Sequence, residues 1–211
     1  FQIKILRFIN SKNKNLPVSK IILNKKGKDI TEIQDNHGDK RILRLLKWIP
    51  GRLWSSVNPQ LDYLRYSLGE KSGNITKLLK GFDHKIAHRK FEWDIAQSLW
   101  TKKHLNLFSD DQKTILKYFH KEFELKNNDY KKLRKAVIHN DINDNNIIVS
   151  EDLISPSVRS IVDFGDAVNT QIINEVGTAC AYAIMDQNDP LEAALPLVSG
   201  YHSVYPLKEN E

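Results

Sequence analysis

Three side chains in the second half of the sequence have the types and spacing that phosphoryl transfer requires. Asp141 precedes Asn146 within the run His139-Asn140-Asp141-Ile142-Asn143-Asp144-Asn145-Asn146, and Asp163 opens the run Asp163-Phe164-Gly165-Asp166. Magnesium is a hard, oxygen-seeking cation, usually held by one or two protein ligands together with substrate phosphates. Asn146 and Asp163 fit as those ligands. Moving a phosphoryl group depends on positioning and charge neutralisation, with a carboxylate to orient the attacking hydroxyl and accept its proton. Asp141 suits that task.

The elements around these residues explain how they would meet. Asn146–Val149 and Arg159–Val162 are short β-prone runs separated by a polar loop containing Pro156, the pattern of a hairpin. In an antiparallel pair the start of one strand lies beside the end of the other. That places Asn146 next to Asp163, with Asp141 in the loop leading to the same edge. Taken singly, an Asp or Asn here reads as a turn residue, and Asp144 and Asn145 are read so. His139 reads as a buried, hydrogen-bonded strut. The signal lies in the joint occurrence of the two runs at the two ends of one hairpin.

Upstream, Phe1, Ile3, Ile5, Leu6, Phe8 and Ile9 give a broad apolar face expected at the tail of a helix. Ser11–Asn15 reads as a polar turn left at Pro17. Val18–Leu23 and Arg41–Ile49 read as strands, with Lys26-Gly27 as a hairpin signal and Pro50-Gly51 as a stop. Helical spacing follows in two groups: Leu61, Leu64 and Leu68, then Ile75, Leu78 and Leu79. Phe91–Trp100 reads as a short helix. Ser109-Asp110-Asp111 should cap a longer one bearing Ile115, Phe119 and Phe123 on one stripe. Asn174 is expected to cap a final helix that buries Val176, Ala179, Cys180, Ala183 and Ile184.

The chain has 211 residues, enough for one sizeable core or two small lobes, with a formal net charge of +6. No run approaches the roughly 18 to 20 apolar residues of a membrane span, and Cys180 is the only cysteine. A reducing, cytoplasmic setting without membrane attachment is therefore expected. The lysines are scattered and accompany no base-reading module, so nucleic acid is not an expected partner. Met185 is the only methionine, so the sequence reads as a fragment of a longer protein.

The two runs resemble those of the kinase superfamily. Asn143 stands where serine/threonine protein kinases carry a lysine, and Asn174-Glu175 leads directly into a helix with no Ala-Pro-Glu segment. That layout is similar to the aminoglycoside phosphotransferase and choline kinase-like family. The resemblance is carried by Asn143-Asp144-x-Asn146, Asp163-Phe164-Gly165-Asp166, Asn174-Glu175-Val176, Asp189-Pro190-Leu191, Gly200-Tyr201-His202 and Pro206-Leu207. It runs from about residue 16 to the end and is dense from 137 to 207; Asn140 departs from the family's glycine. Within the family, the pattern is most similar to the branch that phosphorylates hydroxylysine.

What the resemblance implies is an α+β, protein kinase-like two-lobe fold. Residues 1–50 would be a partial nucleotide-binding lobe whose Gly-rich loop and strand lysine precede residue 1. Residues 51–211 would be a mainly helical lobe with the catalytic hairpin, truncated at its end. Asp141 would be the catalytic base, and Asn146 and Asp163 the magnesium ligands. Asp166 would assist a second metal, meet a substrate ammonium, or simply hydrogen-bond within its loop. Trp48-Ile49-Pro50-Gly51 would be the interlobe hinge, with Lys47 and Trp48 offering backbone groups to the nucleotide base. Ile148 and Val162 would floor the nucleotide pocket, and Glu175 would brace the catalytic loop. The donor would be GTP or ATP, and the acceptor the hydroxyl of a small amine, hydroxylysine-like in the first instance. Homoserine, choline, ethanolamine or an aminoglycoside are the other acceptors, and a non-catalytic nucleotide-binding module is the reading outside enzymes. Relatives joined to an aminotransferase make a similar fusion an expectation for the longer parent.

Overall fold

The computed structural model describes residues 1–12 and 18–211. Helix α1 (Gln2–Lys12) buries Ile5, Leu6 and Ile9, which fall on one face at helical spacing. It runs through Ser11 and Lys12, where a turn was expected; the rest of that turn and Pro17 lie outside the described residues. Four short strands follow: β1 (Ile21–Ile22), β2 (Thr31–Gln34), β3 (Lys40–Leu43) and β4 (Leu45–Leu46). β2 and β3 form a hairpin closed by Gly38, at φ 82°, whose N–H donates to Asp35 O at 3.0 Å. β1 pairs with β4 instead. The run Arg41–Ile49, expected as one strand, is therefore broken at Arg44 into two that serve different partners. The cause lies opposite: Asn24 Oδ1 accepts from the N–H groups of Lys26 and Lys28, turning the chain between β1 and β2.

After the Trp48–Gly51 crossing come β5 (Arg52–Leu53) and α2 (Asp62–Leu79). The two expected apolar groups belong to this single helix, which buries Leu64, Leu68, Ile75 and Leu79 while Leu61 only starts it. Its length survives two glycines because they are contact points. A Cβ on Gly69 would lie 2.0 Å from Leu197 O, and one on Gly200 would lie 2.1 Å from Tyr66 O. The backbones of α2 and a later helix thus touch directly, and no larger residue fits at either crossing.

The segment around Phe91–Trp100 forms 3-10 turns over Ile95–Leu107 rather than a short α-helix. Helix α3 (Asp110–Tyr130) begins with the predicted cap, here a reciprocal box between Ser109 and Gln112. The apolar stripe of this helix is largely exposed: Ile115 is 58% exposed and Phe119 62%. Periodicity correctly marks the helix but says nothing about which neighbour covers the face.

The site-bearing strands are β6 (Lys135–Ile138), β7 (Ile147–Val149), β8 (Val158–Ile161) and β9 (Val168–Gln171). They form two ladders. β7 pairs with β8 and with β5, and β6 pairs with β9. Helices α4 (Ile173–Ala183) and α5 (Pro190–Val204) complete the fold. Asn174 is not the cap of α4, which begins at Ile173 without a side-chain cap. Its Nδ2 instead donates to Asp94 and Thr170, and its Oδ1 accepts from Tyr130. α4 is also not the last helix, since Asp189 caps α5. One core joins Leu6, Trp54, Leu68, Ile147, Phe164 and Tyr201. Small sheets ahead of a helical body give the expected α+β, kinase-like arrangement. Among the described residues no helix is long and apolar enough to cross a membrane.

Candidate functional site

Two loops carry the chemistry, and the same two ladders hold both. Residues 139–146 leave β6 and enter β7; residues 162–167 leave β8 and enter β9. Ile138 pairs with Val168 at one pair of ends, and Ile147 with Ile161 at the other. Each loop is thus pinned at both ends to its partner. A further bond crosses between them, where Val162 N–H donates to Asn146 O at 2.9 Å. This is the expected convergence, with Asn146 opposite Val162 and Asp163 one residue beyond.

Asp141 and Asn146 touch. Asn146 Nδ2 donates to Asp141 Oδ2 at 2.8 Å and to Asp141 O at 2.9 Å. Asn143 Nδ2 donates to Asp141 Oδ1 at 2.8 Å, while Asn143 Oδ1 accepts from the N–H groups of Asn145 and Asn146. Asn143 is therefore the pivot of the loop, turning it and fixing the carboxylate together. Asn-rich turns of this kind are visible in sequence, but the second bond to Asp141 is not. Ser55 supports the outside of the loop, donating through its N–H to Asp144 O and through Oγ to Asn145 Oδ1. Nothing in the sequence marks it.

His139 is a strut, as expected. It is fully buried, stacks against Phe164 at 4.6 Å between ring centroids, and pairs Nε2 with Val162 O at 2.9 Å. Its Nδ1 accepts from the Asp141 N–H, which leaves Nε2 as the protonated donor in the neutral ring. Burial lowers its pKa to about 4. Glu175, also fully buried, accepts from the N–H groups of His139 and Asn140 with its two oxygens, at 3.0 and 2.9 Å. Burial raises its pKa to about 7, against the lowering effect of those two bonds. This fork lets Asn140 hold φ 67°, a left-handed conformation that asparagine tolerates better than most residues. The brace expected of Glu175 is present.

On the facing loop, Asp163 has φ 60° and its Oδ1 accepts from Gly165 N–H at 3.0 Å. Asp163 lines a hollow of about 220 Å³ with Gln2, Arg44, Leu46, Val162 and Phe164. Asp163 is therefore open to this hollow rather than sealed. Gln2 crowds Gly165, where a Cβ would fall 2.8 Å from Gln2 Nε2, and Arg89 donates to Gly165 O at 3.0 Å. Neither residue stood out in the sequence, because each acts through the backbone of a distant loop.

Burial is the main cause of a raised pKa at Asp141, and the charges of Asp166 and Asp163 add to it. Asp166 is thus an electrostatic neighbour of Asp141. Among the described residues none of these three carboxylates has an ion-pair partner. Asn146 Oδ1 and Asp163 Oδ2 also have no hydrogen-bond partner there. A site of oxygen donors with uncompensated negative charge is what a hard divalent cation fits.

The nucleotide-side residues divide. Ile148 is buried yet stands outside the core cluster, on the face of β7 opposite Ile147 and Val149. Val162 lines the hollow with Asp163. Lys47 and Trp48, in contrast, line a separate groove with Lys20, Lys71 and Arg159. The Lys47 N–H is already used, donating to Lys20 O at 2.7 Å. Of the two expected hinge residues, Lys47 therefore has no N–H left for a nucleotide base. Cys180 is inert for nucleophilic chemistry, its thiol pushed up to about 11 by burial.

The kinase-like fold and the paired loops define a phosphotransferase-type protein, and the chain matches the phosphotransferase enzyme family, APH, over residues 1–207. It belongs to that family, and the match begins upstream of residue 16, where the resemblance was expected to start. Hydroxylysine kinase of Xenopus laevis is 28% identical over 215 residues, covering 93% of this chain and 56% of that protein. Hydroxylysine kinase of Mus musculus is 25% identical over 180 residues, covering 79% of this chain and 47% of that protein. The chain thus spans about half the length of these curated relatives. A microcompartment-associated aminopropanol kinase has a TM-score of 0.71 at 16% identity, covering 98% of this chain and 65% of that one. Amicoumacin kinase, solved with AMP-PNP, Ca2+ and Ami, has a TM-score of 0.68 at 19% identity, covering 98% and 62%. These two likenesses establish the shared fold.

Proposed function

We propose that the protein to which this chain belongs moves the γ-phosphate of GTP or ATP to the hydroxyl of a small amine-bearing acceptor, hydroxylysine-like in the first instance. The observation that carries this reading is the direct pairing of Asp141 with Asn146 beside the Asp163 loop, whose carboxylate-bearing residue lines a hollow. The curated relatives named hydroxylysine kinase support the acceptor class.

In this reading residues 1–50 are the nucleotide-side lobe and 51–211 the lobe that carries the loops. Asp141 orients the acceptor hydroxyl and takes its proton as the oxygen attacks the γ-phosphorus. The bond from that phosphorus to the bridging oxygen breaks, and the nucleoside diphosphate leaves. Asn143 and Asn146 hold the carboxylate in place for this transfer. Asn146, Asp163 and Asp166 are the residues that would hold magnesium, which supplies charge neutralisation for the nucleotide phosphates. Ile148 and Val162 form the apolar floor under the base, and the backbone of Trp48 is the remaining hinge contact. A cytoplasmic setting suits both the nucleotide and the single thiol.

The test uses the full-length protein with a panel of hydroxylysine, homoserine, choline, ethanolamine and an aminoglycoside, each with ATP and GTP. Asp141→Asn is expected to lower transfer at least about 100-fold, the range of a positioned base. A loss below about tenfold would leave a nucleotide-binding module as the better reading. Preference for an acceptor other than hydroxylysine would keep the chemistry and replace the substrate.

A further inference from the structure

The groove lined by Lys47 and Trp48 is separate from the hollow beside Asp163. It measures about 450 Å³ and lies where the Trp48–Pro50 crossing meets α2 and the entrance of β8. Asp163 and Phe164 line the other hollow, from the far end of β8. The cations converge from four separate places: Lys20 just before β1, Lys47 just after β4, Lys71 on α2 and Arg159 on β8. Among the described residues no acidic one lines the groove. Among the described residues none of these cations has a side-chain hydrogen bond or an ion pair. Some exposed cations elsewhere are matched, as in Arg7 with Asp29, Arg41 with Asp35 and Lys102 with Glu124; the groove's four are gathered in one hollow without such a partner among the described residues. An aromatic surface accompanies the charge, since Trp48 is 80% exposed.

Like charges drawn into one concavity repel each other and raise the local concentration of anions. Lysine and arginine are also the side chains that hold phosphate oxygens, by point charge and by forked hydrogen bonds respectively. A bare indole beside them offers a stacking face to a flat ring. We infer that this groove binds a short, phosphate-rich anion carrying an aromatic ring, the chemistry of a nucleoside polyphosphate, on the back of the crossing between the two parts of the fold. Its size and the gathering of charge in one hollow favour a small anion over a nucleic-acid strand, which needs a charged stripe along its length. Lys20 and Lys47 belong to the small-sheet part, while Lys71 and Arg159 belong to the helical part. One bound polyphosphate therefore bridges the two across the hinge and limits their relative motion.

The experiment is calorimetric titration of the full-length protein in EDTA, which removes metal-assisted binding at the Asp141–Asp163 cleft. Inorganic tripolyphosphate and GTP are the probes, with a short single-stranded oligoribonucleotide as the third arm. Both small probes are expected to bind, more weakly as salt rises. The double variant Lys71→Glu/Arg159→Glu should lose at least tenfold in affinity for both, and Trp48→Ala should weaken GTP but not tripolyphosphate. Asp163→Asn should bind them as the wild type does, so failure here is separate from failure of the phosphotransferase reading. If the charge-reversed protein does not fold by circular dichroism, Lys71→Gln/Arg159→Gln takes its place. Unchanged affinity in the charge variant, loss of binding in Asp163→Asn, or oligoribonucleotide binding that tightens with length would each overturn the inference.

Discussion

Asn146 Nδ2 bridges the side chain and the backbone carbonyl of Asp141, at 2.8 and 2.9 Å. The proposed base and a metal-ligand candidate are therefore one mechanical unit, because the amide that fixes the carboxylate turns its own oxygen the other way. Truncating Asn146 to Ala should damage both tasks. Activity is expected to fall by two orders of magnitude or more, with part of the loss recovered by raising magnesium. A loss that magnesium does not touch would confine Asn146 to positioning.

Asn143 gives the contrasting case. Its side chain makes one bond to Asp141 and two to the turn that leads into β7, yet it offers no atom to an ion. Asn143→Ala should lower kcat by about 10- to 100-fold while the KM for nucleotide stays within a factor of two or three. Added magnesium should not rescue it. Net stability should drop by about 1–3 kcal/mol, the cost of buried or half-buried polar groups losing partners. A KM effect larger than the kcat effect would show that Asn143 contacts substrate directly.

Glu175 and His139 titrate in opposite directions, and the signs predict a pH profile. Glu175 rises from 4.5 to about 7 on folding, so between these values the folded protein holds a proton the unfolded chain lacks. Its contribution to stability falls as pH rises through that window. His139 falls from 6.5 to about 4, so there the unfolded chain holds the extra proton and stability rises with pH. The two nearly cancel where the windows overlap. Glu175→Gln removes the falling contribution and should expose a rise with pH, at most about 1.4 kcal/mol per unit. Urea denaturation at a series of pH values checks this, and parallel profiles for wild type and variant would contradict it.

Gly51 sits at the end of the crossing, where a Cβ would lie 2.3 Å from Val149 O and 2.5 Å from Ile148 Cγ2. Neither neighbour can yield cheaply, since one is ladder backbone and the other a buried side chain on the cleft side of β7. Gly51→Ala is expected to cost about 1–3 kcal/mol, the range for overpacking, and to weaken nucleotide binding by shifting Ile148. Thermal denaturation with and without nucleotide measures both effects. An unchanged melting temperature would mean that the crossing can move away from β7.

Much of this was readable in the residues, for identifiable reasons. The hairpin of β7 and β8 and the loops at its ends showed because β-prone runs, a polar connection and chemically distinctive residues coincide there. β2 did not show, because all its residues are exposed and it lacks the alternation a half-buried strand leaves in sequence. α3 showed as a helix from its cap and period, but its stripe faces outward, since period reports shape and not neighbours. Asn174 failed as a cap because its amide serves a buried network with Asp94 and Thr170, residues distant in sequence. Ser55, Gln2 and Arg89 act on backbone atoms of other segments, a role open to many residue types. The groove beside the Trp48–Gly51 crossing did not show, because it depends on four cations that sequence scatters across 140 positions from Lys20 to Arg159.

The test closest to the chemistry concerns Asp163, whose φ of 60° and bond to the Gly165 N–H serve shape as well as charge. Asparagine tolerates the left-handed region and can still accept that N–H, whereas alanine does neither, at a cost of about 1 kcal/mol or more for the strained backbone. Asp163→Asn should therefore melt close to wild type without ligand, and Asp163→Ala should melt lower. In wild type, nucleotide with magnesium should raise stability by about 2.7 kcal/mol at 100 times the dissociation constant, and EDTA should remove the metal-dependent part. Asp163→Asn should lose that same part while keeping its unliganded stability. An undiminished magnesium-dependent shift in Asp163→Asn would mean that the ion rests elsewhere, and the pairing of Asn146 with Asp163 as its ligands would have to be given up.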